Sequence, residues 1–323
     1  MREIDYRDAI KEACIEEMDR DPKVFLIGED IGVYGGAFRA YSGLLDKYGP
    51  ERVINTPISE QAILGGAVGA ALTGYRPVAE IMFVDFCTLA MDQIVNQAAK
   101  IKYMTGDALS VPMVLRTQGG AGRGIAAQHS QSLEAWFYHV PGLKVVMPAT
   151  PYDVKGLLKT AIRDNDPVVF IEHKMIYLNK GPVPEEEYTI PFGVADIKRE
   201  GKDVTIFAYS NMLFKALEAA DDLAKDGISC EVFDPRTLVP LDIDALIKSI
   251  KKTNKLVVVS EAAERGSIAS DIIAIVNDRA FDYLDAPAKR VCGLNAAIPY
   301  NSKLEQACIP HKESIVKAVK EIL

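Results

Sequence analysis

The sequence contains few of the residues on which metal and thiol sites depend. It has five cysteines and four histidines among 323 residues. No two cysteines form a CxxC pair, and the histidines form neither an HxxxH nor an HExxH pattern. These spacings disfavour a zinc site, a disulfide framework and an HExxH metalloenzyme, and they suit a reducing cytoplasm.

Basic clusters and long apolar runs are also lacking. Lys and Arg number 37 against 45 Asp and Glu, which gives a net charge of −8. With no basic block to offset this charge, we expect no nucleic-acid partner and no membrane partner. The longest nearly uncharged stretch, residues 61–75, is too short and too glycine-rich to span a bilayer. The first residues lack the apolar core of a signal peptide, and we expect a cytoplasmic protein.

The chain does contain short β-branched runs that alternate with amphipathic segments. The strand candidates are residues 24–27, 52–55, 77–82, 112–116, 144–147 and 167–172, and then 203–209, 228–233, 255–260 and 288–292. Helical patterns between them include residues 85–104, 152–163, 212–225 and 243–252. Apolar strands separated by helices predict two α/β domains, each with a mostly parallel sheet.

The region from residue 174 to residue 201 interrupts this alternation. It contains Pro182, Pro184 and Pro191 together with the acidic run 185–187, and it has no sustained period. Such a composition is typical of a connection between domains. We therefore expect a first domain at residues 1–185, a linker at 186–201 and a second domain at 202–323.

A candidate acid stands at the start of a predicted helix. The segment 55–57 ends a strand, Ser59 is suited to be an N-cap, and Glu60 falls in the first helical turn. One interpretation is a glutamate favoured by the helix macrodipole alone. The same helix contains three glycines, Gly65, Gly66 and Gly69, and each costs roughly 1 kcal/mol in a helix interior. They favour the other interpretation, in which a neighbouring helix or subunit approaches closely and the acid has a function.

A glycine-rich loop follows the strand candidate at 112–116. Gly122, Gly124 and Ala127 loosely fit a dinucleotide fingerprint, but no acid follows at the spacing that a ribose contact needs. His129 lies among polar residues where this loop meets a predicted helix. A neutral imidazole there suits proton transfer near neutral pH, and a purely structural histidine is the alternative.

Several catalytic motifs are missing. The chain has no GxxxxGK(S/T) phosphate loop, no GxSxG elbow, and no GDG followed by a paired Asn about thirty residues later. The nearest string to the last motif is Gly106-Asp107-Ala108, which lacks the second glycine.

Five segments occur in an order that closely resembles a known family. They are NTPISE (55–60), EIMFVDF (80–86), AAQHSQS (126–132), VPGLKVVMP (140–148) and AIRDNDPVVF (161–170). The chain resembles the β subunit of the thiamine diphosphate-dependent 2-oxo acid dehydrogenases, which serve the pyruvate, branched-chain 2-oxo acid and acetoin dehydrogenase complexes. The similarity spans essentially the whole chain, including DPRTLVPLD (234–242) and FDYLDAP (281–287).

This resemblance implies a transketolase-like α/β fold, with a thiamine diphosphate pyrimidine-binding domain and a smaller C-terminal domain. In this family an α subunit holds the diphosphate and its Mg²⁺ through the GDG and Asn motif. Because this chain lacks that motif, we expect an α subunit as partner, in an assembly of two α and two β chains. The C-terminal domain is expected to provide the β–β contact and to dock on the lipoyl-bearing dihydrolipoyl acyltransferase.

The resemblance also implies roles for individual residues. Glu60 matches the glutamate that hydrogen-bonds the aminopyrimidine ring and helps to activate the coenzyme. Phe86 matches the aromatic residue that stacks on this ring, and Ile58 matches a position that packs beside the cofactor. His129 matches a histidine placed for proton transfer while the acyl group passes to a lipoyl arm.

A structural potassium site is implied as well. Met113, Ala161, Ile162, Asp164 and Asp166 match a loop whose oxygens hold the ion. At Asp166 the family often has Asn. The alternative is a helix C-terminus followed by a strand that begins with a proline.

The function expected from the sequence is therefore a dehydrogenase β subunit that helps to decarboxylate a 2-oxo acid, most simply pyruvate, and to acylate a lipoyl arm. Phe86 favours pyruvate or acetoin, because branched-chain members usually carry Tyr at this position. Acetoin dehydrogenase, branched-chain 2-oxo acid dehydrogenase and a split transketolase remain open. A nucleotide-binding module is the alternative that is not an enzyme.

Overall fold

The computed structural model describes residues 1–323 and contains two compact units. The first comprises Met1–Gly119 and Trp136–Phe192, and the second comprises Gly120–Ala135 and Gly193–Leu323. The glycine-rich loop thus belongs to the second unit, although it lies within the range predicted for the first domain.

The first unit is built on a parallel sheet. The strands up to residue 192 are β1 (Arg2–Asp5), β2 (Val24–Glu29), β3 (Val53–Thr56), β4 (Arg76–Ile81), β5 (Val114–Gly119), β6 (Lys144–Val146), β7 (Val168–His173) and β8 (Lys180–Val183). The helices up to residue 192 are α1 (Tyr6–Arg20), α2 (Leu44–Tyr48), α3 (Glu60–Leu72), α4 (Ile101–Met104), α5 (Glu134–Tyr138), whose first two residues belong to the second unit, and α6 (Pro151–Arg163). Six strands lie parallel in the order β6-β7-β5-β4-β2-β3, and β1 pairs antiparallel with β8. Every residue of β5 and β7 is buried, as expected for central strands covered on both faces.

One predicted helix differs from the structure. The pattern at residues 85–104 predicts a single helix, but the chain forms a 3-10 helix at Val84–Ala90, a π-helix at Gln93–Ala98 and then α4. The Thr88 hydroxyl donates to the Asp85 carbonyl at 2.7 Å, a local side-chain bond of the kind that competes with regular helix geometry. The spacing of apolar residues alone does not reveal where a helix changes to 3-10 or π geometry.

The second unit contains a smaller sheet. The strands from residue 193 onward are β9 (Asp196–Arg199), β10 (Val204–Ala208), β11 (Cys230–Asp234), β12 (Thr237–Val239), β13 (Leu256–Ala263) and β14 (Lys289–Gly293), and all but β12 belong to this sheet. Its helices are α7 (Asn211–Lys225), α8 (Ile243–Thr253), α9 (Ile268–Ala280), α10 (Ser302–Cys308) and α11 (Lys312–Lys320). Five strands form the order β14-β13-β10-β11-β9, and only β9 runs antiparallel to its neighbour. The prediction of two mostly parallel α/β sheets is confirmed.

The region interpreted as a linker is partly structured. Strand β9 lies within residues 186–201 and pairs with β11, while β8 lies in the preceding residues and pairs with β1. Pairing at a sheet edge tolerates the prolines, because an edge strand needs only one set of backbone hydrogen bonds.

A charged network is buried inside the first sheet. Arg116 on β5 is fully buried between the carboxylates of Glu80 on β4 and Glu172 on β7, and it donates to one oxygen of Glu172 at 2.7 Å. The Tyr177 hydroxyl accepts from the same guanidinium at 2.8 Å. Burial raises the pKa of Glu80 to about 7, although the positive charge of Arg116 opposes the shift.

Two further observations concern the whole chain. All five cysteines are free thiols, and four of them are buried. None of the helices combines the length and the apolar character that crossing a lipid bilayer requires.

Candidate functional site

Glu60 lies where the first sheet ends. The adjacent strands β2 and β3 run parallel, with Glu29 paired to Thr56 in their last register position. The turn after β3 leads to Ser59, which is the N-cap of α3 by backbone conformation but makes no side-chain capping bond. Helix α3 then begins at Glu60. Its carboxyl therefore emerges at the carboxyl edge of a parallel sheet, which is the usual ligand-binding edge of such sheets.

The Glu60 side chain has no hydrogen bond or ion pair within the chain and is only half-buried. A second carboxyl lies nearby. Burial raises the pKa of Glu29, and the negative charges of Asp30 and Glu60 raise it further. Glu60 is thus a carboxyl without a partner in an acidic, partly enclosed environment.

Apolar side chains lie on the turn before α3 and on the 3-10 helix that packs against α3. Ile58 is 74% exposed, although it is a large aliphatic residue. Phe86 lies half-buried on the 3-10 helix that packs against α3, and its ring meets that of Phe83 edge to face at 5.7 Å. The hydroxyl of Thr56 is buried without a hydrogen-bond partner. These groups fit the pyrimidine half of thiamine diphosphate, a flat heterocycle that needs apolar contact and a carboxyl partner.

The glycines of α3 are not explained by packing within the chain. A Cβ added to Gly69 would meet nothing within 4 Å, and one added to Gly65 would meet only the Gln93 side chain, at 3.8 Å. Both residues are exposed. Helix α3 therefore presents a glycine-rich face on which another chain could approach its backbone closely.

The glycine-rich loop of the second unit binds the chain's own carboxylates. The backbone N–H of Ala121 donates to Glu261 at 2.6 Å, and those of Gly122 and Gly124 donate to Glu305 at 2.8 and 2.9 Å. Both carboxylates belong to buried residues. The amides of both fingerprint glycines are therefore already bonded to carboxylates, which disfavours the nucleotide-binding interpretation of this loop.

His129 lies at the end of this loop, half-buried, in the 3-10 helix Ala127–His129. A cavity of about 350 Å³ adjoins this turn. Its lining is mainly apolar, with Gln128, Ser130 and Glu261 among the polar contributors. The Ser130 hydroxyl is buried without a hydrogen-bond partner.

The residues predicted to hold potassium do come together, but their oxygens face cations of the protein. Arg76 donates to the carbonyls of Ile162 and Asp164 at 3.0 and 2.8 Å. Lys144 binds the Asp164 carboxylate at 2.6 Å and lies 3.1 Å from that of Asp166, which also pairs with Lys102 at 2.6 Å. The remaining two carbonyls, those of Met113 and Ala161, accept from backbone N–H groups. An added cation would be repelled by these charges, and the arrangement does not fit a potassium ion.

A magnesium site is not evident in this chain either. No group of three or more His, Cys, Asp or Glu side chains comes together in residues 1–323 as a metal site requires.

Sequence reasoning did not identify Glu29, Glu261 or Glu305. Glu29 has a detectable signal, since it directly follows a buried apolar run and parallel strands end at one edge. Glu305 has no such signal in the sequence, because it bonds to Gly122, which lies 183 positions earlier in the chain.

Comparisons with known proteins agree with this geometry. Residues 2–179 match the family model of the transketolase pyrimidine binding domain, and residues 193–315 match that of the transketolase C-terminal domain. A solved structure titled as a split gene transketolase, inactive beta4 tetramer, superposes with a TM-score of 0.81 at 25% identity, covering 99% of this chain and 98% of the other.

Three curated relatives illustrate the similarity in sequence. The pyruvate dehydrogenase E1 component subunit beta-2 of Oryza sativa is 48% identical, covering 99% of this chain and 86% of that protein. In Bacillus subtilis, the beta subunit of acetoin:2,6-dichlorophenolindophenol oxidoreductase is 49% identical, over 100% and 98% of the two chains. The 2-oxoisovalerate dehydrogenase subunit beta of the same organism is 47% identical, over 100% and 99%.

The fold and the comparisons define a transketolase-like, thiamine diphosphate-dependent class of enzyme. Within it, the chain belongs to the family of E1 β subunits of the 2-oxo acid and acetoin dehydrogenase complexes, which are oxidoreductases.

Proposed function

We propose that this β subunit acts with an α subunit to decarboxylate a 2-oxo acid, with pyruvate as the favoured substrate, and to pass the acyl group to a lipoyl arm. The observation that carries the proposal is the Glu60 carboxyl, which has no partner in its own chain and begins the helix against which the 3-10 helix of Phe86 packs. The loop that could have bound phosphate is filled by Glu261 and Glu305. The diphosphate and Mg²⁺ are therefore assigned to the α subunit.

The roles of this chain's residues follow from their chemistry. Bound thiamine diphosphate supplies an electron sink for the pair released when the bond to the carboxylate carbon breaks. Glu60 offers its carboxyl as the hydrogen-bond partner of the pyrimidine ring, since it has no partner within its own chain. Ile58 and Phe86 orient the ring and exclude water from it.

His129 is assigned to the second half of the reaction. Its imidazole can deliver or accept a proton at the sulfur of a lipoyl group during acyl transfer. The mainly apolar cavity beside its turn suits a small group with few polar atoms, such as the end of a lipoyl arm.

Two surfaces support the proposed assembly of two α and two β chains. The glycine-rich face of α3 begins at the residue that needs a cofactor held by another chain. The similar solved structure is described as a tetramer of β chains, which supports β–β contact in this protein as well. Docking on a dihydrolipoyl acyltransferase is assigned to the second unit on family resemblance alone.

The choice among pyruvate, acetoin and a branched-chain 2-oxo acid as substrate depends on a single residue. Relatives named for pyruvate, acetoin and 2-oxoisovalerate have nearly equal identities, so Phe86 is the feature that favours pyruvate or acetoin. Acetoin cleavage is the second candidate. Cytoplasmic location stays a prediction, and the rice relative is named as mitochondrial.

A reconstitution experiment tests the proposal. This chain is purified alone and together with its α subunit, and oxidation of the substrate is followed with an artificial electron acceptor and with a lipoyl domain. We expect activity only when both chains are present, with pyruvate or acetoin ahead of branched 2-oxo acids. Activity from the β chain alone, or transfer of ketol groups between sugar phosphates, would contradict the proposal.

A further inference from the structure

The loop that leads to His129 is closed at its base and strained near its end. The Gly120 N–H donates to the Gln131 carbonyl at 2.9 Å, which joins the two ends of the loop. Ala126 has φ 63° and ψ −171°, a conformation that L residues with a side chain rarely adopt. Strain of this kind persists only where surrounding contacts fix the backbone.

Glu305 provides those contacts in the middle of the loop. One carboxylate oxygen accepts from the Gly122 N–H and the other from the Gly124 N–H. The residue is 1% exposed, so water does not compete for these bonds. Helix α10 holds it in place, and the Asn301 side chain caps that helix by accepting from the next backbone N–H groups at 3.0 and 3.2 Å.

A short path connects this carboxylate to the histidine. Gly124 lies two residues before Ala126, whose carbonyl accepts from the His129 N–H at 3.3 Å. Glu261, the other carboxylate on the loop, binds Ala121 near the base instead. Glu305 thus binds the loop closer in sequence to the turn that carries His129 than Glu261 does.

We propose that Glu305 is a positioning residue for His129. It contacts none of the reacting groups, and it fixes the backbone from which the imidazole projects. The proposal rests on the proposed function of His129 in acyl transfer. It therefore concerns the transfer of the acyl group to lipoyl and not the preceding decarboxylation.

The variant Glu305→Gln tests this inference in the assembled αβ enzyme. The amide keeps the size of the side chain but replaces one acceptor oxygen by an NH₂ group that faces a backbone N–H. We expect acylation of a lipoyl domain to fall about tenfold or more, while decarboxylation with an artificial acceptor stays within about twofold. The matched control is Glu313→Gln, an exposed glutamate on α11, which should change neither rate.

A double variant distinguishes positioning from a general loss of structure. If Glu305 acts through His129, then adding Glu305→Gln to His129→Ala should not lower acylation below that of His129→Ala alone. If the double variant instead shows the product of the two single losses in acylation, the proposal is overturned. It is also overturned if Glu305→Gln lowers acylation and decarboxylation equally. If Glu305→Gln does not fold, Glu305→Asp serves instead. Asp keeps the negative charge, but its side chain is one methylene shorter, so its carboxylate lies further from the loop amides.

A second readout does not depend on enzyme activity. Arg123 is exposed between the two amides that Glu305 holds, so trypsin cleavage after Arg123 reports on the order of the loop. We expect faster cleavage in Glu305→Gln at an unchanged melting temperature. Unchanged cleavage would overturn the inference even if the enzyme acylates lipoyl. Conversely, if the wild-type enzyme does not transfer acyl groups to lipoyl, the proposed function is refuted. Trypsin cleavage after Arg123 would still show whether Glu305 holds the loop.

Discussion

The carboxylate of Glu305 accepts a hydrogen bond from the backbone N–H of Gly122 at 2.8 Å. In nucleotide-binding loops rich in glycine, a phosphate oxygen takes the corresponding place. Here the anion is part of the protein and is supplied from 183 residues further along the chain. The loop therefore resembles a phosphate loop in sequence while its amides serve an internal contact.

This contact predicts that the chain does not bind NAD. The amides of Ala121, Gly122 and Gly124 are already bonded, and displacing the two buried carboxylates would leave those carboxylates without these partners. Isothermal titration calorimetry of the chain with NAD should show no saturable binding at millimolar concentration. Tight binding without any α subunit would restore the nucleotide-binding alternative.

The variant His129→Ala should separate the two half-reactions. Acyl transfer to a lipoyl domain should fall about a hundredfold or more, because a positioned proton donor is lost. Decarboxylation measured with an artificial acceptor should fall much less. Steady-state rates of the assembled enzyme in both assays provide the measurement.

The matched control for this experiment is His139→Ala. His139 is exposed on the surface, so both rates should remain near those of the wild type. An equal loss in the two assays for His129→Ala would count against its role in acyl transfer.

The variant Gly69→Ala should affect folding and association in opposite directions. Its Cβ meets nothing within 4 Å, so the better helix propensity should raise the free energy of unfolding of the β chain by up to about 1 kcal/mol. Association with the α subunit should weaken, because the added methyl group keeps the two chains apart. Chemical denaturation and sedimentation measure the two effects. Asn277→Ala, an exposed position on α9, should give the first effect without the second.

The buried network around Arg116 predicts a dependence of stability on pH. Burial raises the pKa of Glu80 from 4.5 to about 7. Between these values the folded chain keeps a proton that the unfolded chain has released, so this residue's contribution to stability falls as the pH rises.

The variant Glu80→Gln cannot ionise and should lose that component. Between about pH 5 and about pH 7, the wild type should lose on the order of 1–2 kcal/mol more stability than the variant. Denaturant unfolding at the two pH values measures the difference. The exposed Glu51→Gln serves as control and should follow the wild type. Equal slopes for Glu80→Gln and the wild type would show that Glu80 does not titrate in this way.

The sheets were predictable because their strands are buried on both faces. Strands such as β7 and β10 read as largely apolar segments, and their alternation with helices predicts parallel order. The interruption of the helix after Val84 was not predictable, because it depends on local bonds such as that of Thr88. Strand β9 was missed since its pairing partner, β11, lies about thirty residues later in the chain.

In the candidate site too, features that are local in sequence were predictable and contacts between distant segments were not. Glu60 could be placed from its strand, its helix start and its glycines, all of which are local in sequence. Contacts between distant segments could not be predicted, as Arg76 on the carbonyl of Ile162 shows. The potassium prediction identified oxygens such as those of Ile162 and Asp164, but the sequence does not show that Arg76 and Lys144 face these oxygens.

The most direct measurement is the turnover of Glu60→Gln in the assembled αβ enzyme. The amide keeps the shape of the side chain but cannot exchange a proton with the pyrimidine ring. Decarboxylation should therefore fall about a hundredfold or more, while sedimentation shows an intact assembly and Glu51→Gln behaves as wild type. Near-normal turnover in Glu60→Gln would contradict the central claim that this carboxyl activates a cofactor held by another chain.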